Sequence, residues 1–336
     1  AEFVELFTEV SQGIKEVFQT KNDVLIFPSA GTGVMEAAIV NLFSPGDKLL
    51  AFPNGVFSER FVSIARAFGA DVETIPVEWG KPVTPDIVKE RILKDEKHEI
   101  KGVLFTYNET STGVLNNLKS LRVAMGNHPA LTLVDAVSCL GAVDLRTDEW
   151  KLDVVITGSQ KALMLPPGLG FVSVSPKAWA ATLNSKMPKY YWDFKAAKKS
   201  LEKGQTPYTP AVSLIYALKE SMEIIRKEGL KDIYNRHLII SSALREGIEA
   251  LGLKLFVDDE YASPTVTAIE ISKNQQHISK TLKSKFNITV SGGQGKLKNH
   301  IIRIGHMGYV DELDIINVLA ALEMALSDEN LFGVGV

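Results

Sequence analysis

The feature that most limits what this chain can fold into is an alternation that runs to about residue 180. Short β-branched and apolar runs take turns there with segments of helical periodicity. Runs at 23–28, 48–52, 71–77, 100–106, 131–134, 153–157 and 170–174 read as strands, and helical patterns over 33–43 and 56–68 fall between the first of them. Strands joined by crossover helices pair in parallel, so the spacing predicts an α/β fold with a mostly parallel sheet. The 336 residues suffice for one large domain and a smaller one. The pattern changes near Gly229, which separates two long helical stretches at 211–227 and 230–251. Beyond it, strands at 265–271 and 301–304 are interspersed with helices at 278–286 and 311–326. The expected division is a large domain over 1–228 and a small C-terminal α+β domain over 229–336.

Composition narrows the partners. A net charge of −3 with scattered basic residues leaves no footprint for nucleic acid or an anionic membrane, and the densest cluster, 195–203, reads as a solvated helix face. No apolar run approaches the roughly 18 to 20 residues of a membrane helix. Residues 1–7 read as the start of an amphipathic helix. One cysteine, Cys139, permits neither an internal disulfide nor a cysteine metal site, which fits a reducing, cytoplasmic compartment. Standing near the start of an expected helix, Cys139 reads as core packing. The six histidines show no metal-ligand spacing, so no metal is expected, and His306 is given no role.

In a parallel α/β sheet, ligands bind outside the carboxyl ends of the strands. Three of those ends are informative. After the first strand comes Ser29-Ala30-Gly31-Thr32-Gly33 and then a helix, which is either a plain turn or a phosphate cradle at a helix N-terminus. It lacks the third glycine of the dinucleotide fingerprint. Asp135 follows the strand at 131–134 and is either a helix N-cap or a functional acid. Lys161 lies in the Gly/Ser turn of TGSQKAL (157–163), where a lysine is either solvated or functional. A phosphate cradle, a buried acid and a loop lysine at one sheet edge are the parts of a pyridoxal 5′-phosphate site.

TGSQKAL with Pro166-Pro167-Gly168 resembles the cofactor-lysine motif of the class V aminotransferases. NETSTGVL (108–115), VDAVSCLG (134–141), TPYTPAVS (206–213) and the IRIG run (302–305) resemble the alanine–glyoxylate and serine–pyruvate branch of that family in the same order. The resemblance implies fold-type I, with a mostly parallel seven-stranded sheet in the cofactor domain. It also implies an amino-group transfer from alanine or serine to glyoxylate or pyruvate. Lys161 would hold pyridoxal 5′-phosphate as a Schiff base and shuttle a proton, while Asp135 would pair with the ring nitrogen. Gly31 and Thr32 would meet the phosphate, Gln160 would add a donor, and Thr110 would lie near the ring hydroxyl. Phe57 resembles the family's ring-stacking residue, where a tryptophan is also found, while on its own it reads equally as a core phenylalanine. Arg303, an arginine interrupting an apolar strand, either makes a structural ion pair or takes the substrate α-carboxylate, as the resemblance implies.

Thr209 resembles the residue that reaches the phosphate of a neighbouring subunit, which implies a homodimer with shared sites. Thr206 departs from the family's frequent tyrosine. The resemblance runs from about residue 20 to the end, and family members usually carry, ahead of the helix with which this sequence opens, a short segment whose Gly/Pro-rich stretch lines the substrate site.

Three rival readings differ in kind. A transaminase using aspartate as donor keeps every role above. A cysteine desulfurase or other lyase needs a mobile cysteine and a histidine before the lysine, where this chain has Gln160. A catalytically silent protein of the same fold would not need Lys161, Asp135 and Arg303 intact.

Overall fold

The computed structural model describes residues 2–332, with side chains as far as Ser327. Helix α1 (Glu2–Phe18) leads into β1 (Asp23–Ser29), α2 (Gly31–Leu42), β2 (Lys48–Ala51), α3 (Val56–Ala67) and β3 (Asp71–Thr74). Then come α4 (Pro85–Leu93), β4 (Ile100–Thr106), a two-stranded hairpin of β5 (Asn108–Glu109) and β6 (Val114–Leu115), and α5 (Leu118–Ala124). The large sheet is completed by β7 (Leu131–Asp135), β8 (Val154–Gly158) and β9 (Gly168–Val174), followed by α6 (Pro176–Ala181) and α7 (Phe194–Leu201). Next are α8 (Val212–Glu228), α9 (Leu230–Ala250), β10 (Lys254–Leu255), β11 (Val266–Glu270) and α10 (Ile278–Phe286). The last elements are β12 (Ser291–Gly292), β13 (Ile301–Gly305) and α11 (Glu312–Phe332).

Seven strands form one sheet in the order β1-β9-β8-β7-β4-β2-β3, in which only β9 runs against the others. The fold is the expected α/β one. Its strands bury both faces, as a sheet covered by crossover helices must. Along β1, Val24 and Ile26 join a core with α1, α4, α5 and α8, while Leu25 and Phe27 face a second core with α2, α3, α6 and α7. The period of two persists in β4, where Val103 and Phe105 oppose Leu104. A smaller antiparallel sheet, β10-β11-β13-β12, packs with α9, α10 and α11 around a third core. Among the described residues no helix is long and apolar enough to cross a membrane.

Two local expectations are corrected. The helix expected at 33–43 starts at Gly31, which places Gly31 and Thr32 in its first turn. The helix expected after Asp135 does not form. Leu140 and Cys139 both donate to the Ala136 carbonyl, Ala142 donates back to Cys139, and Gly141 at φ 94° turns the chain away. A single turn is too short to propagate against its nucleation cost. Cys139 is fully buried, as core packing requires.

Candidate active site

Because six of the seven strands run parallel, the ends of β1, β2, β4, β7 and β8 open on the same edge. Asp135 closes β7 and is 3% exposed. Its Oδ1 accepts the Val137 amide at 2.9 Å, an Asx-type turn in place of a helix cap. Burial pushes its pKa up to about 7 against that hydrogen bond, with the nearby Glu109 charge adding to the rise.

Lys161 lies in the β8–β9 loop. Burial pulls its pKa down from the ordinary lysine value, and the Arg303 charge adds to this. The loop is tied by Ser159, whose hydroxyl donates to Pro166 and accepts from the Leu169 amide, while its own amide donates to the Leu169 carbonyl. Met164 turns it through a left-handed conformation at φ 62°.

The first two amides of α2, those of Gly31 and Thr32, have no intrahelical acceptor, and the N-cap, Ala30, offers no side-chain one. Gly33 and Val34 turn back to the Ala30 carbonyl, so the Gly31 and Thr32 amides face the sheet edge. The backbone approach at Gly31 leaves no room for a side chain, since a Cβ there would lie 2.5 Å from Val137 Cγ2. A Cβ at Gly33 would meet Trp192 at 2.9 Å. Gln160 borders the same place, and its Oε1 is buried without a hydrogen-bond partner.

Arg303 projects from the middle of β13 and is 7% exposed. Nε and Nη2 donate to the Gly292 carbonyl at 3.1 and 2.9 Å, and Nη1 donates to the Thr110 carbonyl at 2.8 Å. No ion pair accounts for it among the described residues. Three of its five N–H groups are thereby used, leaving one on each Nη for a carboxylate. Burial lowers its pKa from the ordinary value while the Glu109 charge raises it. The Thr110 hydroxyl donates to Ser138 Oγ at 2.7 Å.

Half-buried Phe57 stands in the first turn of α3. One face of its ring is covered by the Arg60 guanidinium, 4.7 Å from the centroid. Arg60 also donates to Thr32 Oγ1 at 3.3 Å, and its charge reaches both Asp135 and Lys161. Sequence reasoning missed Arg60, because an arginine three residues along a helix from Phe57 reads as surface charge. Glu109 was missed as well, although it lies within a motif singled out there.

Eight of the nine residues named from sequence therefore share one edge. The ninth, Thr209, is exposed in the loop before α8 and joins none of the cradle's hydrogen bonds within the chain. That loop stacks Tyr208 against Tyr190 and Tyr191, which are 79% and 40% exposed. Among the described residues no three His, Cys, Asp or Glu side chains group to hold a metal.

Comparison with known proteins agrees with this architecture. The family model for aminotransferase class-V matches residues 1–315. The chain is 45% identical, over 97% of its length and 86% of the relative's, to the soluble hydrogenase 42 kDa subunit of Anabaena cylindrica. It is 39% identical, over 95% of its length and 82% of the relative's, to the L-aspartate–glyoxylate aminotransferase of Paracoccus denitrificans. The solved alanine–glyoxylate aminotransferase from Nostoc sp. superposes with a TM-score of 0.92 at 31% identity, covering 97% of this chain and 87% of that one.

Proposed function

This chain belongs to the class-V aminotransferase family, and on that footing we propose that it moves an amino group from alanine or serine to glyoxylate or pyruvate, using pyridoxal 5′-phosphate held on Lys161. The observation that carries the reading is a set of three buried or half-buried ionisable residues, Lys161, Asp135 and Arg303. They converge on one sheet edge, and none has an ion-pair partner among the described residues.

Each is a site lacking its complement. The cradle of Gly31 and Thr32, with Gln160 beside it, offers donors where the backbone has been cleared of side chains. Asp135 is a buried carboxyl that a cationic ring nitrogen would hold ionised. Phe57, half-buried in the first turn of α3 with the Arg60 guanidinium over its ring, supplies an aromatic side chain at the same edge. Pyridoxal phosphate fits all three, and when bound it supplies an electron sink for the carbanion formed at the substrate α-carbon. Arg303 then binds the substrate carboxylate through its two remaining N–H groups. Lys161 Nζ, whose burial favours the neutral amine, would carry the proton between the substrate α-carbon and C4′ of the bound group, in one direction with the donor and in the other with the acceptor. Asp135 keeps the proton on the ring nitrogen.

Both transaminases compared above are named for glyoxylate, one with alanine and one with aspartate. Arg60 is the observation that favours aspartate, since a half-exposed guanidinium at the mouth of the site can meet a second carboxylate. Nothing in the site draws on the chemistry in the Anabaena relative's name. The chain's one cysteine is buried, with its thiol pushed well above the ordinary range.

A panel of amino donors and 2-oxo acids tests the reading, with Arg303→Ala as its internal control. The variant should raise KM for every amino acid and oxo acid by roughly ten- to a hundredfold, the range of a charge-assisted hydrogen bond. Amines without a carboxylate should be nearly indifferent. A general loss of stability with KM unchanged would make Arg303 a structural residue. A kcat/KM for aspartate above that for alanine and serine would assign Arg60 the second carboxylate.

The working unit we propose is a homodimer in which Thr209 reaches the partner's cradle. A dianionic phosphate needs more donors than Gly31, Thr32 and Gln160 supply, and the exposed tyrosine stack beside Thr209 is a surface suited to burial against a second copy. Mixing Lys161→Ala with Thr209→Ala subunits should create heterodimers with one intact site each and partly restore activity at limiting cofactor. A mixture that never exceeds its parents, after verified subunit exchange, would remove Thr209 from that role.

A further inference from the structure

Glu109 closes the short strand β5 with no exposed surface at all. Burying a carboxylate is costly unless hydrogen bonds satisfy it. Here five do. Oε1 accepts from the amides of Phe57 and Ser111, both at 3.2 Å, and from the Ser111 hydroxyl at 2.6 Å. Oε2 accepts from the amide and the hydroxyl of Ser58, each at 2.9 Å.

These contacts replace a missing cap. The N-cap of α3 is Gly55, which has no side-chain acceptor for the amides of the first turn. The hairpin supplies it instead: the Val56 amide goes to Ser111 Oγ at 2.9 Å, and those of Phe57 and Ser58 go to Glu109. Gly55 is required for this approach, because a Cβ there would overlap Glu109 Cγ and Cδ. On the other side of Glu109 the next residue, Thr110, gives its carbonyl to Arg303. A single buried anion thus joins the turn that carries Phe57 to the turn that anchors Arg303.

We propose that Glu109 is a positioning residue that fixes Phe57 and Arg303 relative to one another, so that ring stacking and carboxylate binding are set by one side chain. The inference rests on the transaminase reading. Its charge also favours the charged form of Arg303, a second contribution from the same side chain.

The test uses Glu109→Gln, which keeps the size of the side chain but sets an NH2 group against one of the serines. The milder Ser111→Ala leaves the carboxylate in place. Binding of pyridoxal phosphate and of inorganic phosphate to apo-protein is measured by calorimetry, beside KM and kcat of the loaded enzyme. Pyridoxal phosphate should weaken by up to about tenfold, the range of an aromatic stacking contact, while inorganic phosphate binds unchanged at the α2 cradle. KM for donor and acceptor should both rise, by about tenfold, with kcat falling less. Ser111→Ala should move the same quantities in the same direction by less, and it carries the test alone if Glu109→Gln does not fold. Lower thermal stability with cofactor affinity and KM unchanged would leave Glu109 a helix cap only and overturn the proposal. Wild-type apo-protein that binds phosphate but no pyridoxal phosphate would sink the functional reading, and this inference with it.

Discussion

Replacing Lys161 by alanine is expected to leave the fold intact and to lower turnover by about four decades or more. Positioned acid–base transfer alone contributes roughly two to four decades, and the same change removes the covalent attachment. The fold should survive because the Lys161 amine makes no hydrogen bond or ion pair that holds the structure together, and the loop is tied through Ser159. Pyridoxal phosphate should still bind through its phosphate. Borohydride reduction of wild type, followed by peptide mapping, should place the pyridoxyl label on Lys161, and the variant should take up none. A label on a different lysine would withdraw Lys161 from the site, and with it the proposed mechanism.

The second large effect belongs to Asp135→Asn, and it should have opposite signs in two measurements. Activity should fall by roughly two to three decades, because an amide cannot hold the proton on the ring nitrogen and the loss of that charge pair amounts to a few kcal/mol. The apo-protein, in contrast, should gain stability. In wild type the Asp135 carboxyl titrates at about 7 in the folded chain, raised mainly by burial from the ordinary 3.8. Between those two values the folded state binds the proton and the unfolded state does not, so wild-type stability falls as pH rises through the window. The asparagine variant has nothing to ionise. Its advantage should grow from about pH 4 to about pH 7 by up to roughly 1.4 kcal/mol per pH unit, read from denaturant unfolding at several pH values. Equal pH dependence in the two apo-proteins would show that Asp135 is ionised throughout. Unimpaired turnover would take it out of the mechanism.

How much of this was legible in the sequence depended on where each residue stands in its element. Asp135 closes an apolar strand and Lys161 stands in the turn just after another, and a strand end in a parallel sheet is already a statement about location. Arg303 was legible for a different reason: a guanidinium inside an apolar run needs an explanation wherever it lies. Arg60 and Glu109 gave no such sign. Each owes its position to a partner far away in the chain, Thr32 for the first and the start of α3 for the second. Gly55 was the available clue to Glu109, a helix start with no cap of its own, but nothing in the sequence says which side chain fills the vacancy. The helix expected after Asp135 failed for a local reason, since Gly141 ends the first turn before a second can form.

The reversed direction of β9 has a consequence for how the site assembles. Gly31, Thr32, Phe57 and Asp135 hang from the connections that follow parallel strands and reach their places only after distant parts of the chain have met. Lys161 instead lies in a closed hairpin, because β8 and β9 are neighbours that pair antiparallel, with Gly158 opposite Gly170. Closing so short a loop costs little entropy, and hairpins form in microseconds, long before sheet pairings of high sequence separation. The amine's position is therefore decided by the nearest stretch of chain, and the rest of the site is gathered around it as folding proceeds.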